Sequence, residues 1–327
     1  MLILRLGDPH VKVFNIEESE KLLSFVLEKA LEYKVDCIEI LGDLTHTHAI
    51  VRLEVQEFWT KWLKTLGNSF HTRVLVGNHD LSGNYSSKFS SLSTFAFLER
   101  TMLNIIEKPT QAGIFGYLPY IHDHKTFIDS AIALADKGAK VLVCHQTLQG
   151  SRYESGFYAA DGVPTGDWAA RFTHIISGHI HSEQTFENVI YPGTARWDSV
   201  VDANMRKGIW IYEHDDASGQ ILNSEFISTE NVCSPLRSIT WREGEEGPKP
   251  WGDNDRVTLE LIGSSEWINK QKQSFKGKAS FKTKITDSAK LTNRKPGKNF
   301  MDFLNGVFST TMDRHELEKK AKELGLV

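Results

Sequence analysis

Five short apolar runs in this chain each end in a polar cluster, and that recurrence is the strongest constraint on its fold. The runs are Leu2–Leu6, Asp36–Leu41, Arg73–Val76, Lys140–Cys144 and His174–Ser177. Asp8-Pro9-His10, Gly42-Asp43, Gly77-Asn78-His79-Asp80, His145 and Gly178-His179-Ile180-His181 follow them in turn. A brief apolar run bounded by turn residues reads as a buried strand. In open α/β sheets functional groups gather beyond the carboxyl ends of the strands, so the five clusters are expected to converge. Helical periodicity fills the gaps. Glu17–Tyr33 places Leu22, Phe25, Val26, Ala30 and Tyr33 at helical spacing, with Asn15 and Glu18 as a capping box, and Arg52–Leu66 puts Val55, Trp59, Trp62, Leu63 and Leu66 on one face. The alternation predicts an α/β fold.

The texture changes beyond Gly178. Strands are expected at Phe186–Tyr191, Gly208–His214 and Ile221–Ile227. Residues 231–255, rich in Pro, Gly and acidic side chains, read as a linker or edge loop. A strand at Arg256–Ile262, a helix at Ser265–Phe275 and a strand at Ala279–Ile285 suggest a small α+β unit, and Asn299–Phe308 and Asp313–Leu324 are amphipathic helices. Cys37, Cys144 and Cys233 are too few and too scattered for a disulfide framework, which suits a reducing cytoplasm. No apolar run approaches a membrane span and the first residues do not read as a signal peptide, so a soluble, cytoplasmic protein without membrane partners is expected. The net charge of −4 confines any nucleic-acid surface to a local patch.

The residue types in the clusters suit a pair of divalent cations. Two such ions about 3.5–4 Å apart need a bridging carboxylate with nitrogen and oxygen ligands around it. Asp43 is the natural bridge. Asp8, His10 and His181 would complete one metal site, and Asn78, His145 and His179 the other. The mixed N/O set favours Mn²⁺, Fe²⁺ or Zn²⁺ over Mg²⁺, with Mn²⁺ the expected ion, and the lack of Cys ligands argues against structural zinc. Gly42, Gly77 and Gly178 would let the backbone turn sharply off each strand.

The ordered pattern D-x-H, GD, GNH[DE], H and GHxH resembles that of the calcineurin-like metallophosphoesterase superfamily, over Met1 to about Ile227, with every ligand position filled. The resemblance implies a two-layered β-sandwich flanked by helices. It also implies that His79 meets the substrate phosphate while Asp80 orients it. Within the superfamily the chain is similar to the SbcD-type nuclease subunits of double-strand-break repair. His46 occupies the histidine of their GD-x-x-H, Val141–Gln146 matches an apolar strand ending in His-Gln, and Tyr191-Pro192-Gly193-Thr194 matches their PG[ST] turn. His46 is thereby a third candidate catalytic residue. His48 and the His122-Asp123-His124 cluster read as surface loop.

That likeness implies a metal-dependent DNA exonuclease or endonuclease that hydrolyses phosphodiesters with a metal-activated water. Its expected partners are DNA and an SMC-like, SbcC-type coiled-coil ATPase, with a second copy of the chain as a further candidate. The implied domains are a phosphoesterase domain (1–230), the linker (231–255), a small DNA-capping domain (256–290) and a basic tether with partner-binding helices (291–327). Ten Lys or Arg and one acidic residue between Lys270 and Lys298 fit phosphate contacts. Two other readings stand beside this one. A small-substrate phosphodiesterase or phosphatase would not need the basic tail or His46. A catalytically silent scaffold would have lost a ligand.

Overall fold

The structure is a computed structural model and describes residues 1–48, 50–83 and 89–286. In chain order it forms β1 (Leu2–Leu6), α1 (Ile16–Tyr33), β2 (Cys37–Ile40), α2 (Leu53–Ser69), β3 (His71–Leu75), β4 (Leu103–Ile106), β5 (Thr110–Ala112) and β6 (Phe115–Leu118). Next come α3 (His124–Asp136), β7 (Val141–His145), β8 (His174–Gly178), β9 (Gln184–Phe186), β10 (Val189–Tyr191), β11 (Gly208–His214) and β12 (Ile221–Ser228). The described part ends with β13 (Leu236–Arg242), β14 (Arg256–Gly263), α4 (Ser265–Ser274) and β15 (Ser280–Ile285).

Two six-stranded sheets stack face to face, in the orders β12-β11-β1-β2-β3-β4 and β5-β6-β7-β8-β10-β9. Strands β1 to β4 run parallel, as do β6, β7, β8 and β10, with antiparallel strands at the sheet margins. Sandwiched parallel strands are covered on both faces, which is why β2 and β7 are buried along their whole length. Ile3, Leu41, Leu75, Phe115, Val143 and Ile176 lie in the core between the sheets. A second core joins the outer face of the first sheet to α1 and α2, and a third joins the other sheet to α3. The architecture is the expected α/β sandwich with flanking helices.

Register places the polar clusters level. Leu6 pairs with Ile40, Ile40 with Val74, and His145 with Gly178. The loops after β1, β2, β3, β7 and β8 therefore leave the sandwich at one rim.

Several expectations need correction. Asn15 precedes α1, but its side chain does not cap the helix. Its Oδ1 accepts from the Lys12 amide and the Ser19 hydroxyl. Phe186–Tyr191 is not one strand: it holds the last residue of β9, a hairpin turn at Glu187 (φ 48°) and Asn188, and the whole of β10. The stretch read as a linker contains β13, which pairs in parallel with β14 in a three-stranded sheet, β13-β14-β15. The small unit therefore draws a strand from residues 231–255. It carries its own core of Val257, Leu259, Leu261 and Ile268. Asp123 caps α3 by accepting from the Thr126 amide at 2.8 Å, so His122-Asp123-His124 opens a helix. The helices expected at 299–308 and 313–324, and the tether before them, lie outside the described residues. Among the described residues no helix is long and apolar enough to cross a membrane, and the three cysteines are free and buried.

Candidate metal centre

The seven expected ligands meet at the rim of the sandwich, and six of them fall in two groups whose donor atoms lie within 4.8 Å of one another, beside a third such group of His10, His46 and His79. Asp8, His10 and His181 form the first of the two, and Asp43, His145 and His179 the second. His10 Nε2 lies 3.1 Å from His181 Nε2 and 3.6 Å from Asp43 Oδ2, so Asp43 faces both groups. His145 Nε2 stands 3.4 Å from Asp43 Oδ2 and 3.0 Å from Asn78 Oδ1, and that same Oδ1 is 2.8 Å from His179 Nδ1. Asp8, His10, Asp43 and His145 are almost wholly buried.

The backbone carries strain at this point. Asp8, His10, Asp43 and His179 all have positive φ, at 27°, 44°, 52° and 82°. Non-glycine residues avoid that region unless their surroundings impose it, and such residues cluster at functional sites. Main-chain donors hold the carboxylates in place. The His179 amide donates to Asp8 Oδ2 at 2.7 Å and the His79 amide to Asp43 Oδ1 at 2.8 Å. His145 Nδ1 bonds to the Leu41 carbonyl at 2.7 Å, which ties one sheet's ligand to the other sheet. Of the glycines, Gly42 turns off β2 at φ 106° as expected. Gly77 has another reason. A Cβ there would collide with the Asp43 carboxylate, so the glycine is needed for close approach and not for a turn.

Burial opposes charge on every group, and the exceptions define the electrostatics. Burial works against the Asp43 carboxylate, yet His145, His10 and His79 around it together hold its pKa well below the usual range. Burial also works against His145, but Asp43 and Asp8 lift its imidazole to about 10. Burial raises Asp8 to about 7 against the pull of His145, and lowers His179 to about 3 with help from His145. Burial likewise pushes His10 and His181 down. Burial thus favours the neutral form of His10, His179 and His181, the form that binds metal, whereas His145 would have to give up a proton to an incoming ion.

The residues fit a pair of cations on two further observations. Asp8 Oδ1 and His10 Nδ1 are buried without a hydrogen-bond partner, a costly state that a cation relieves at the carboxylate. His10 Nε2 and His181 Nε2 also lie 3.1 Å apart across the centre, two ring nitrogens close enough to face one ion together.

The candidate catalytic residues are arranged differently from expectation. His79 Nδ1 bonds to the His46 carbonyl at 2.6 Å, leaving Nε2 for a substrate. Asp80 does not touch that ring. Its carboxylate accepts from the Gly77 and Thr45 amides, at 3.0 and 3.1 Å, and so fixes the loops that carry Asn78 and Asp43. Burial and the nearby Asp43 raise Asp80 to about 7. The His46 ring is half-buried at the rim, stacked 5.6 Å from His79 and edge-on to His10. His48, set aside as loop, stacks on His79 at 4.4 Å.

Supporting residues were missed altogether. Buried Arg196 donates to the Pro9 carbonyl at 2.8 Å and the His10 carbonyl at 2.7 Å, clamping the first ligand loop. Lys207, paired with Asp202, donates to the His181 carbonyl, and Glu154 accepts from the His181 amide. The Pro192-Gly193-Thr194 turn just ahead of Arg196 was the available signal.

The sequence profile of the calcineurin-like phosphoesterases matches residues 1–183, more than half of the chain. "Putative phosphoesterase 244L" of Invertebrate iridescent virus 6 is 31% identical over 201 residues, spanning 59% of this chain and 69% of that protein. "Putative phosphoesterase 078R" of Invertebrate iridescent virus 3 is 25% identical over 273 residues, or 80% and 75% of the two chains. "Exonuclease subunit 1" of Enterobacteria phage T4 is 26% identical over 250 residues, 72% of each. With a matching profile, an α/β sandwich and convergent groups of candidate metal-binding side chains, the chain belongs to the calcineurin-like phosphoesterase family of metal-dependent hydrolases.

Proposed function

We propose that this phosphoesterase is a DNA nuclease that works with two divalent cations, Mn²⁺ first among them, as a subunit of a recombination or repair assembly. The observation that carries the reading is His46. It stacks on His79 at the rim of the centre, at the position where the SbcD-type branch has its GD-x-x-H histidine. The likeness to a phage protein named as an exonuclease subunit supports it. So do the exposed Lys270, Lys276, Lys278, Lys282 and Lys284 of the small unit, which can meet phosphates.

Asp8, His10, Asp43 and His181 would hold one ion, and Asp43, Asn78, His145 and His179 the other. Bound there, the ions would acidify water and neutralise charge on the phosphoryl group. The chain's own contribution is placement. His79 presents Nε2 to the phosphate, His46 and His48 wall the ring in, and Asp80 and Arg196 hold the ligand loops. We further propose that the terminal segment from Asn299 binds an SbcC-type ATPase. Deleting residues 299–327 should abolish co-purification with that ATPase and leave hydrolysis of short substrates intact.

Purified protein incubated with labelled linear duplex and single-stranded DNA in Mn²⁺, Mg²⁺ or chelator tests the main reading, with a chromogenic phosphomonoester in parallel. Metal-dependent DNA cleavage that vanishes in Asp43→Asn is expected. Hydrolysis of the monoester without DNA cleavage would replace the nuclease reading with a small-substrate phosphatase.

A further inference from the structure

A cleft of about 470 Å³ opens beside the centre, between the segment after β1 and the loop that leads into α2. Thr45 and His46 belong to both the centre and the cleft. Its apolar lining comes from both sides, Val13 and Phe14 on one and Ile50 and Val51 on the other. Phe14 leaves 85% of its surface exposed and Ile50 65%, a large apolar outlay for a position next to a hydrolytic site.

Most polar groups of this cleft are already committed, the exception being the His46 imidazole, whose Nδ1 is buried without a hydrogen-bond partner. Lys12 is paired with Asp198 at 2.8 Å and Arg52 with Glu54 at 3.0 Å. The Thr47 hydroxyl donates to the Ile50 carbonyl, and the His46 carbonyl accepts from His79. The cleft therefore offers little to an anion. It suits a flat, uncharged, apolar-faced group joined to a phosphate that sits at the metals. Its volume lies within the roughly 300–1,000 Å³ typical of small-ligand pockets.

We propose that this cleft receives the nucleobase next to the scissile phosphate, stacked on Phe14, an inference that rests on the phosphodiesterase reading above. Because the cleft holds few uncommitted hydrogen-bonding groups, it grips a base by its face and should accept all four bases with little preference. Base–aromatic stacking is sequence-tolerant for the same reason.

Two esters sharing one leaving group test this in Mn²⁺: the p-nitrophenyl ester of thymidine 5′-phosphate and methyl p-nitrophenyl phosphate. Stacking typically contributes about 1–3 kcal/mol per base, so Phe14→Ala should lower the ratio of kcat/KM, nucleoside ester over methyl ester, by roughly tenfold. Exposed Phe14 can be cut back without disturbing a core. If both esters are hydrolysed and Phe14→Ala leaves the ratio unchanged, the base pocket is wrong and the phosphodiesterase reading stands. If wild-type protein hydrolyses neither ester, saturation-transfer NMR with the metal-free protein and the dinucleotide TpT decides. Saturation of the thymine protons that is lost in Phe14→Ala upholds the pocket while the phosphodiesterase reading falls. Saturation that ignores Phe14 removes the pocket as well.

Discussion

His79 is held by a main-chain carbonyl and not by the acid that follows it in sequence, and this separates two roles that the Asn78-His79-Asp80 motif runs together. Asp80 shapes the loops, while His79 points one free nitrogen outward. His79→Ala should therefore lower turnover by about 10²–10⁴-fold, the usual contribution of a positioned proton donor, with metal content by elemental analysis near wild type. Loss of bound metal in that variant would make His79 a ligand instead. The convergence of the candidate ligands was legible in the sequence because their side-chain types recur at strand ends. Arg196, Lys207 and Glu154 were not. They act on main-chain carbonyls and amides of ligand loops, and such contacts obey no spacing rule. His48 was hidden for a related reason, since stacking on His79 depends on how the loop folds back.

Among the elements, α2 does more than cover a sheet. Trp59 is fully buried, and its indole nitrogen donates to the Leu44 carbonyl at 3.1 Å, one residue past Asp43. Trp59→Ala should cost about 3–5 kcal/mol of stability in a denaturant titration, as large-to-small core changes do. Trp59→Phe keeps most of the bulk and loses the hydrogen bond, so it should lower metal affinity by more than its small stability loss accounts for. Equal metal affinity in Trp59→Phe and wild type would show that packing alone matters here. Strands β1, β11 and β14 were readable to within a residue because their apolar runs are sharply bounded. Helix α3 was not expected, although Phe127, Ala131 and Leu134 fall at helical spacing behind the Asp123 cap, because its first turn coincides with a polar His-Asp-His cluster typical of loops. The β9–β10 hairpin and β13 were harder. A turn at Glu187-Asn188 has no glycine to announce it, and β13 is half exposed and lies in an acidic, Gly-rich neighbourhood.

For the molecule as a whole, the stacking of two sheets could not be read from apolar runs alone. A run buried on both faces does not reveal what covers each face, and only the family likeness supplied the second layer. A buried network now visible between the sheets makes the same point. Arg5 donates to Glu39 at 2.8 Å, Tyr117 joins Glu39 from the other sheet, and His214 contacts Arg5 at 2.9 Å. Arg5, Glu39 and His214 fall inside expected strands and Tyr117 in none, and nothing in their spacing announces the network. The positive φ angles at Asp8, His10, Asp43 and His179 have an effect that reaches beyond the rim. Such conformations cost on the order of 1–3 kcal/mol each, so the metal-free protein carries an unfavourable energy that the rest of the fold must offset. Ions that bind only the folded state lower its free energy with concentration. The melting temperature should then fall on chelation, recover in graded steps as Mn²⁺ is restored, and respond far less in Asp43→Asn. Identical melting curves with and without chelator would uncouple the centre from folding. A thermal scan thus becomes a gauge of occupancy that needs no substrate, and it can rank Mn²⁺, Fe²⁺, Zn²⁺ and Mg²⁺ by how far each shifts the transition.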